Sequence, residues 1–467
     1  MKKLLFFHLF LSVFIFANAV FAGTIVVTTS DFESGNTAMY DTETDTFIPA
    51  ALGQDDQDVV VDTDGEYVYF LSRSLGSVSK YTPGGIGTGI SGDGMIWQYS
   101  VGPDSNPYDI VFLESKAYVI RCGSPEILIV DQNAENRESF ELGTINISSY
   151  DVNGVPEAAH GFVFDNMVYV VLQRLNGGAA EVPGYLLKID PATDTIVDLD
   201  PGTDGVQGIK LLVMNPQYFS QNDAVAYIGG HVWFAKTEGV QTVDLGDPAL
   251  AQSMLLDEES MMMDITGVEV FDTSLGIFHS LSWVQEGDTF VKVGAAYWFD
   301  PQTGAVGDIL PVPIPDGGAV RVGDIVYVGS YENSAPGIYP VDPATNTLAG
   351  NILSSSLPPY SMVYIADDTQ TFIAEEKAVP ESLALDAPYP NPFNPATTIS
   401  FRVADAGMAR VDVFTIAGQK VATLLDGYLP AGEHTVMWHA GEISNGVYFI
   451  RVRHNNTVRT AKVMLVK

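Results

Sequence analysis

Ile189-Asp190-Pro191-Ala192-Thr193-Asp194-Thr195 decides the fold, because it is one copy of a recurring phrase. The phrase returns as Val341-Asp342-Pro343-Ala344-Thr345-Asn346-Thr347, as Phe299-Asp300-Pro301-Gln302-Thr303-Gly304 and as Met39-Tyr40-Asp41-Thr42-Glu43-Thr44-Asp45-Thr46. Looser copies are Val130-Asp131-Gln132-Asn133 and Val243-Asp244-Leu245-Gly246-Asp247-Pro248, and a degenerate one is Lys80-Tyr81-Thr82-Pro83-Gly84-Gly85. That makes seven turns spaced by roughly 40–60 residues. Proline presets φ and Asp or Asn caps the turn, so each phrase closes a hairpin between two strands.

A second phrase precedes each turn: an apolar strand, a short polar turn, then a β-branched and aromatic strand. Val59–Phe70, Asp109–Ile120, Gly161–Val170 and Ala319–Val328 are examples. Together the phrases make four-stranded antiparallel units, and seven of them without helical periodicity predict a β-propeller over 23–373. Gly23–Leu52 reads as three strands of a unit whose first strand is missing, and Ser361–Ile365 reads as that strand. One blade shared by both ends would close the ring. The rhythm resembles the YncE-like and YVTN families of extracytoplasmic propellers.

The expected linker, 374–388, leads to Tyr389-Pro390-Asn391-Pro392-Phe393-Asn394-Pro395. Its prolines forbid helix and favour an extended segment. Clean alternation follows, as in Thr398–Val403, Ala409–Phe414, Gly446–Val452 and Ala461–Val466, which predicts a small Ig-like sandwich over 389–467. Together with Val413–Gly418, Leu429–Gly432, Trp438, Gly446, Tyr448 and the closing Lys462–Lys467, these residues resemble the type A C-terminal sorting domain of the type IX secretion system and the related FlgD-type Ig module. The resemblance implies export across the outer membrane, with the secretion machinery as the partner of this domain.

Charge separates the two regions. The net charge is −36, yet from Pro380 onward 8 Lys+Arg meet 7 Asp+Glu. The acidity therefore belongs to the propeller, and it excludes nucleic acid as a partner. Cys122 is the only cysteine, so an intrachain disulfide is excluded. Met1-Lys2-Lys3, an apolar run to Phe16 and small residues up to Ala22 read as a signal peptide over 1–22. That run is too short for a membrane anchor. The expected destination is the outside or surface of a Gram-negative-type bacterium, with the protein a monomer.

No metalloprotease, haem-attachment or nucleophile-elbow motif occurs. Asp58, Asp109 and His160 stand at the start of predicted innermost strands, where side chains reach the mouth of a propeller channel. They are the candidate ligand residues, for a glycan or small molecule. Asp62 and Asp64, before Gly65, offer the hard oxygens that Ca²⁺ requires, but first of all they make a hairpin turn. No other cofactor is expected. The expectation is a non-enzymatic binding protein; the alternative is a secreted hydrolase or lyase working at the channel mouth.

Overall fold

The computed structural model describes residues 23–86, 94–176, 179–199, 207–230, 238–247, 249–286, 289–332, 334–366, 383–385, 388, 391, 393–403, 407–415, 420–429, 432–441, 443–454 and 457–466. The expected signal peptide, residues 374–382 of the expected linker, and Tyr389, Pro390, Pro392 and Lys467 lie outside them. The chain divides into two compact units, one ending at Gln370 and one beginning at Thr371.

The first unit is a seven-bladed propeller. Seven antiparallel sheets follow one another, each a meander of four main strands. The innermost strands of blades 2 to 7 are β2 (Val59–Thr63), β3 (Pro107–Leu113), β4 (Ala158–Phe164), β5 (Pro216–Asn222), β6 (Gly267–Asp272) and β7 (Pro315–Val322). Blade 1 is shared: β1 (Gly23–Ser30) pairs with β8 (Pro359–Ala366), Gly23 facing Ala366 and Val26 facing Val363. Blade 1 therefore takes its innermost strand from the far end of the propeller. Neighbouring innermost strands contact each other around the whole ring.

Each seam between blades carries its own apolar core. Val26 and Met39 of blade 1 pack with Val61 and Phe70 of blade 2, and Ile25 and Tyr40 pack with Val322 and Ile338 of blade 7. The other five seams hold equivalent clusters. The strands alternate, but both faces meet a neighbouring blade, which is why they read as apolar on both sides.

The recurring phrase does two jobs. Its Asp caps the turn: Asp41 Oδ1 accepts from the amides of Glu43 (2.9 Å) and Thr44 (3.0 Å), and Asp190 and Asp342 each cap with one 2.8 Å bond. Four residues on, the chain turns left-handed, at Asp45 (φ 52°), Asp194 (52°), Gly304 (70°) and Asn346 (51°). In blades 4 and 7 this residue also latches the preceding blade. Asp194 accepts from Tyr118 Oη and Lys116 Nζ, both at 2.8 Å, and Asn346 Oδ1 accepts from Trp298 Nε1 at 3.0 Å. Gly304 has no side chain to offer, and a Cβ there would lie 2.5 Å from the Leu255 carbonyl oxygen.

The second unit is a β-sandwich of a three-stranded and a four-stranded sheet. Its strands are β9 (Leu383–Leu385), β10 (Ala396–Val403), β11 (Gly407–Thr415), β12 (Lys420–Leu429), β13 (Gly432–His439), β14 (Gly446–His454) and β15 (Thr457–Leu465). The sheet orders are β9-β10-β13 and β12-β11-β14-β15. Phe401, Val411, Trp438, Ile450 and Val463 share its core. Leu383–Leu385 falls inside the expected linker, yet it pairs with Phe401–Val403 as an edge strand.

Candidate functional site

The sequence places Asp58, Asp109 and His160 in one group; the structure brings Asp109 and His160 together and gives Asp58 other partners. Asp109 Oδ1 accepts from the amide of Ile110 (2.8 Å), and Oδ2 accepts from the amide of Gly161 (2.9 Å) on β4 of the next blade. His160 Nε2 lies 2.7 Å from the Gln217 carbonyl on β5, one blade further on. A carbonyl only accepts, so Nε2 carries the proton, and Nδ1 faces Asp109 Oδ2 at 3.7 Å. Both side chains are thus staples between innermost strands. Other seams have the same device: Ser220 Oγ accepts from Val270 N (2.8 Å), and His279 Nδ1 donates to the Pro315 carbonyl (3.0 Å).

Asp62 and Asp64 do not act together. Asp64 Oδ1 accepts from the amides of Glu66 (2.9 Å) and Tyr67 (2.7 Å), and Oδ2 accepts from Tyr69 Oη (2.7 Å), which commits both oxygens to the hairpin. Asp62 instead meets Asp109, joining blades 2 and 3. Burial pushes its carboxyl well above the usual range, and the charge of Asp109 pushes it further. Among the described residues no group of three or more His, Cys, Asp or Glu gathers as a metal cage.

Asp58 belongs to a different constellation. Its Oδ1 accepts from Arg73 Nη1 at 3.0 Å and from Tyr360 Oη at 2.8 Å. The Arg73 guanidinium lies 3.7 Å from the centroid of the Tyr108 ring. Phe32, whose side chain is 53 % exposed, stands edge-on to Tyr360 with centroids 5.5 Å apart. On blade 7 the pattern recurs: Lys292 pairs with Asp316 and lies 4.5 Å from the Tyr331 ring centroid. Asp316, Tyr360, Asp58 and Tyr108 stand at or beside the starts of β7, β8, β2 and β3, so they form one arc of the mouth, centred on the blade that closes the ring. Sequence reasoning missed Arg73 and Tyr360. The signal was an arginine at the end of the second strand in three successive blades, Arg73, Arg121 and Arg174. Arg121 spends its guanidinium on the Val101 and Glu126 carbonyls, and Arg174 on those of Tyr150 and Pro183. Among the described residues Arg73 has no such carbonyl partners: its Nη1 bonds go to Asp58 and Tyr360, and its buried Nε makes no hydrogen bond there.

The sorting motif is built into the sandwich. Asn391 Nδ2 donates to the Lys462 carbonyl (3.0 Å) and its Oδ1 accepts from Met464 N (2.8 Å). Phe393 N donates to the Met464 carbonyl and its own carbonyl accepts from Val466 N, so Asn391 and Phe393 cover the open edge of β15. Phe393 packs on Trp438 (5.0 Å) and Trp438 on Tyr448 (5.4 Å). Pro395 receives the Ala440 amide, and Tyr448 Oη donates to the Ser444 carbonyl at 2.7 Å, beside Gly446. Asn394 is exposed.

No curated protein matches the sequence. Solved structures similar to the chain include AztD from Citrobacter koseri (12 % identity, 75 % of this chain and 99 % of that one, TM-score 0.47). Others are hydrazine synthase from Kuenenia stuttgartiensis (12 %, 67 % and 95 %, 0.46) and a functionally unknown protein from Desulfotomaculum acetoxidans (9 %, 74 % and 100 %, 0.47). Residues 387–467 match the family described as the secretion system C-terminal sorting domain, so the C-terminal unit carries a sorting domain of the type IX kind.

Proposed function

We propose that the protein is an exported propeller that binds a saccharide ring at the arc of its channel mouth. The observation that carries this reading is Arg73: its two equivalents donate to backbone carbonyls, while its own donors go to Asp58 and Tyr360 beside the starts of β2 and β8, with the Tyr108 ring 3.7 Å away. Exposed aromatic rings suit the apolar face of a sugar, and a planar guanidinium beside a carboxylate suits its hydroxyl groups. The sorting domain supplies the address, outside or on the surface of the cell. Binding without turnover fits the staple roles of Asp109 and His160. The hydrolase or lyase alternative draws on the raised Asp62 carboxyl, but both nitrogens of His160 already face fixed partners.

The test is a saccharide array probed with the chain lacking residues 1–22, followed by calorimetry on the best ligand. Arg73→Ala and Tyr360→Ala are expected to weaken binding at least tenfold, and Phe32→Ala severalfold. A ligand that binds equally well to all three variants would overturn the site. Release of free sugar from it would favour the enzyme.

A further inference from the structure

The two outer faces of the sandwich differ in charge. Alternation along β11, β14 and β15 points Val411, Ile450 and Val463 into the core and sends Arg410, Arg451, Arg453 and Lys462 to the outer face of the four-stranded sheet. On the three-stranded sheet the outward positions are Thr398, Ser400, Thr435 and Met437, and its one outward arginine, Arg402, stands opposite Glu433. The basic face is also the more aromatic: Phe414 pairs in register with Phe449, Phe449 with Lys462, and the Arg451 guanidinium lies 4.7 Å from the Phe414 ring centroid.

This face sets like and opposite charges in register: Asp412 stands opposite Arg451, and Asp426 on β12 stands opposite Arg410. Arg410 stands directly opposite Arg453, and like charges in register on neighbouring strands repel. Asp412 is the only acid at the outward positions of β11, β14 and β15, and it is bonded to Arg410 at 2.8 Å and to Thr423. Arg453 and Lys462 make no ion pair among the described residues. The exposed Met464 (41 %) and the half-buried Val447 extend the patch at the end that Asn391 and Phe393 clip shut.

Resting on the reading of this domain as the sorting tag, we infer that its outer basic-aromatic face is the surface the secretion machinery reads, and that the docking partner is a protein presenting carboxylates around an apolar strip. Charge complementarity supports that partner: on β11, β14 and β15 four outward cations meet the one carboxylate of Asp412, and β12 adds Lys420 together with Asp426, an excess of cations that calls for an acidic surface, while Phe414, Phe449 and Met464 call for apolar contact.

The experiment follows the full chain in its native host, by fractionation and immunoblot of the propeller. Arg451→Glu combined with Arg453→Glu is expected to cut the exported fraction at least tenfold while the purified chain melts as the parent does. The Arg→Lys pair should keep export, and Thr435→Glu with Met437→Glu, on the opposite face, should leave it unchanged. If the Glu pair does not fold, Arg451→Gln with Arg453→Gln takes its place, with a severalfold loss expected. Parental export of a folded charge-altered variant overturns the inference, as does an equal loss from the opposite-face pair. Removing residues 387–467 separates the two ideas: export that survives that removal overturns the sorting reading itself.

Discussion

Asp194, Gly304 and Asn346 occupy one position of one repeated turn, yet each answers to a different neighbour. Asp194→Gly keeps the left-handed backbone and removes only the latch to Lys116 and Tyr118. A loss of roughly 1–2 kcal/mol is expected for these partly exposed charged bonds, read as a lower propeller melting temperature. Gly304→Asn puts in the residue that works at Asn346, but its Cβ would collide with the Leu255 carbonyl, so it should destabilise rather than latch. Equal melting of parent and variant would show that the close approach is not needed. Two staples also titrate. Burial opposes charge on His279, but Glu269 at 3.0 Å and the Pro315 carbonyl outweigh it and raise the imidazole to about 9. A raised value means that the folded chain holds a proton the unfolded chain gives up. The stability is then complete below the unfolded value near 6.5 and is lost as pH climbs through about 9. Asp62, raised by burial and by Asp109, has the same sign from the ordinary carboxylate range upward. The propeller should therefore melt lower as the solution turns alkaline, and His279→Gln should flatten that slope in calorimetry, while Asp62→Asn should remove the loss that sets in above the ordinary carboxylate range. At this scale the sequence was least informative. Tyr360 is 287 residues from Arg73, a contact that no local pattern encodes, whereas the caps at Asp41, Asp190 and Asp342 were plain.

The element on which ring closure depends is β8. Its ladder with β1 is what makes blade 1 whole, so deleting Ser361–Ile365 leaves β1 with an open edge and the cores at Val26 and Ile25 short of Ile365 and Met362. Loss of a cooperative melt, with aggregation, is the expected outcome; a deletion that melts like the parent would mean that blade 1 closes some other way. Elements were legible where alternation ran long enough and turns carried Asp with Pro or Gly. Leu383–Leu385 was missed because three residues are too few to show a period. The hairpin Leu275–Glu286 and Thr289–Phe299 was readable as strands, but nothing in its composition announced a length of 12 and 11 residues. The shared blade was readable because an orphan strand at one end matched a gap at the other.

Across the whole molecule, the chain divides into compact units after Gln370, and charge changes from Pro380 onward. The acid excess behind the chain's net charge of −36 sits on the propeller and repels itself. Raising salt from low values to about 0.15 M, where the screening length falls to roughly 8 Å, should raise the propeller transition and leave that of the near-neutral sandwich almost unmoved. A sandwich transition shifting as much as the propeller's would refute this. The ring also imposes an order of events. Synthesis delivers β8 more than three hundred residues after β1, so no product that stops short of β8 can complete its circle. The tag is made after the closing strand. A chain that displays a folded tag has already received every segment its cargo needs, and the address on the parcel doubles as a certificate that the contents were fully synthesised.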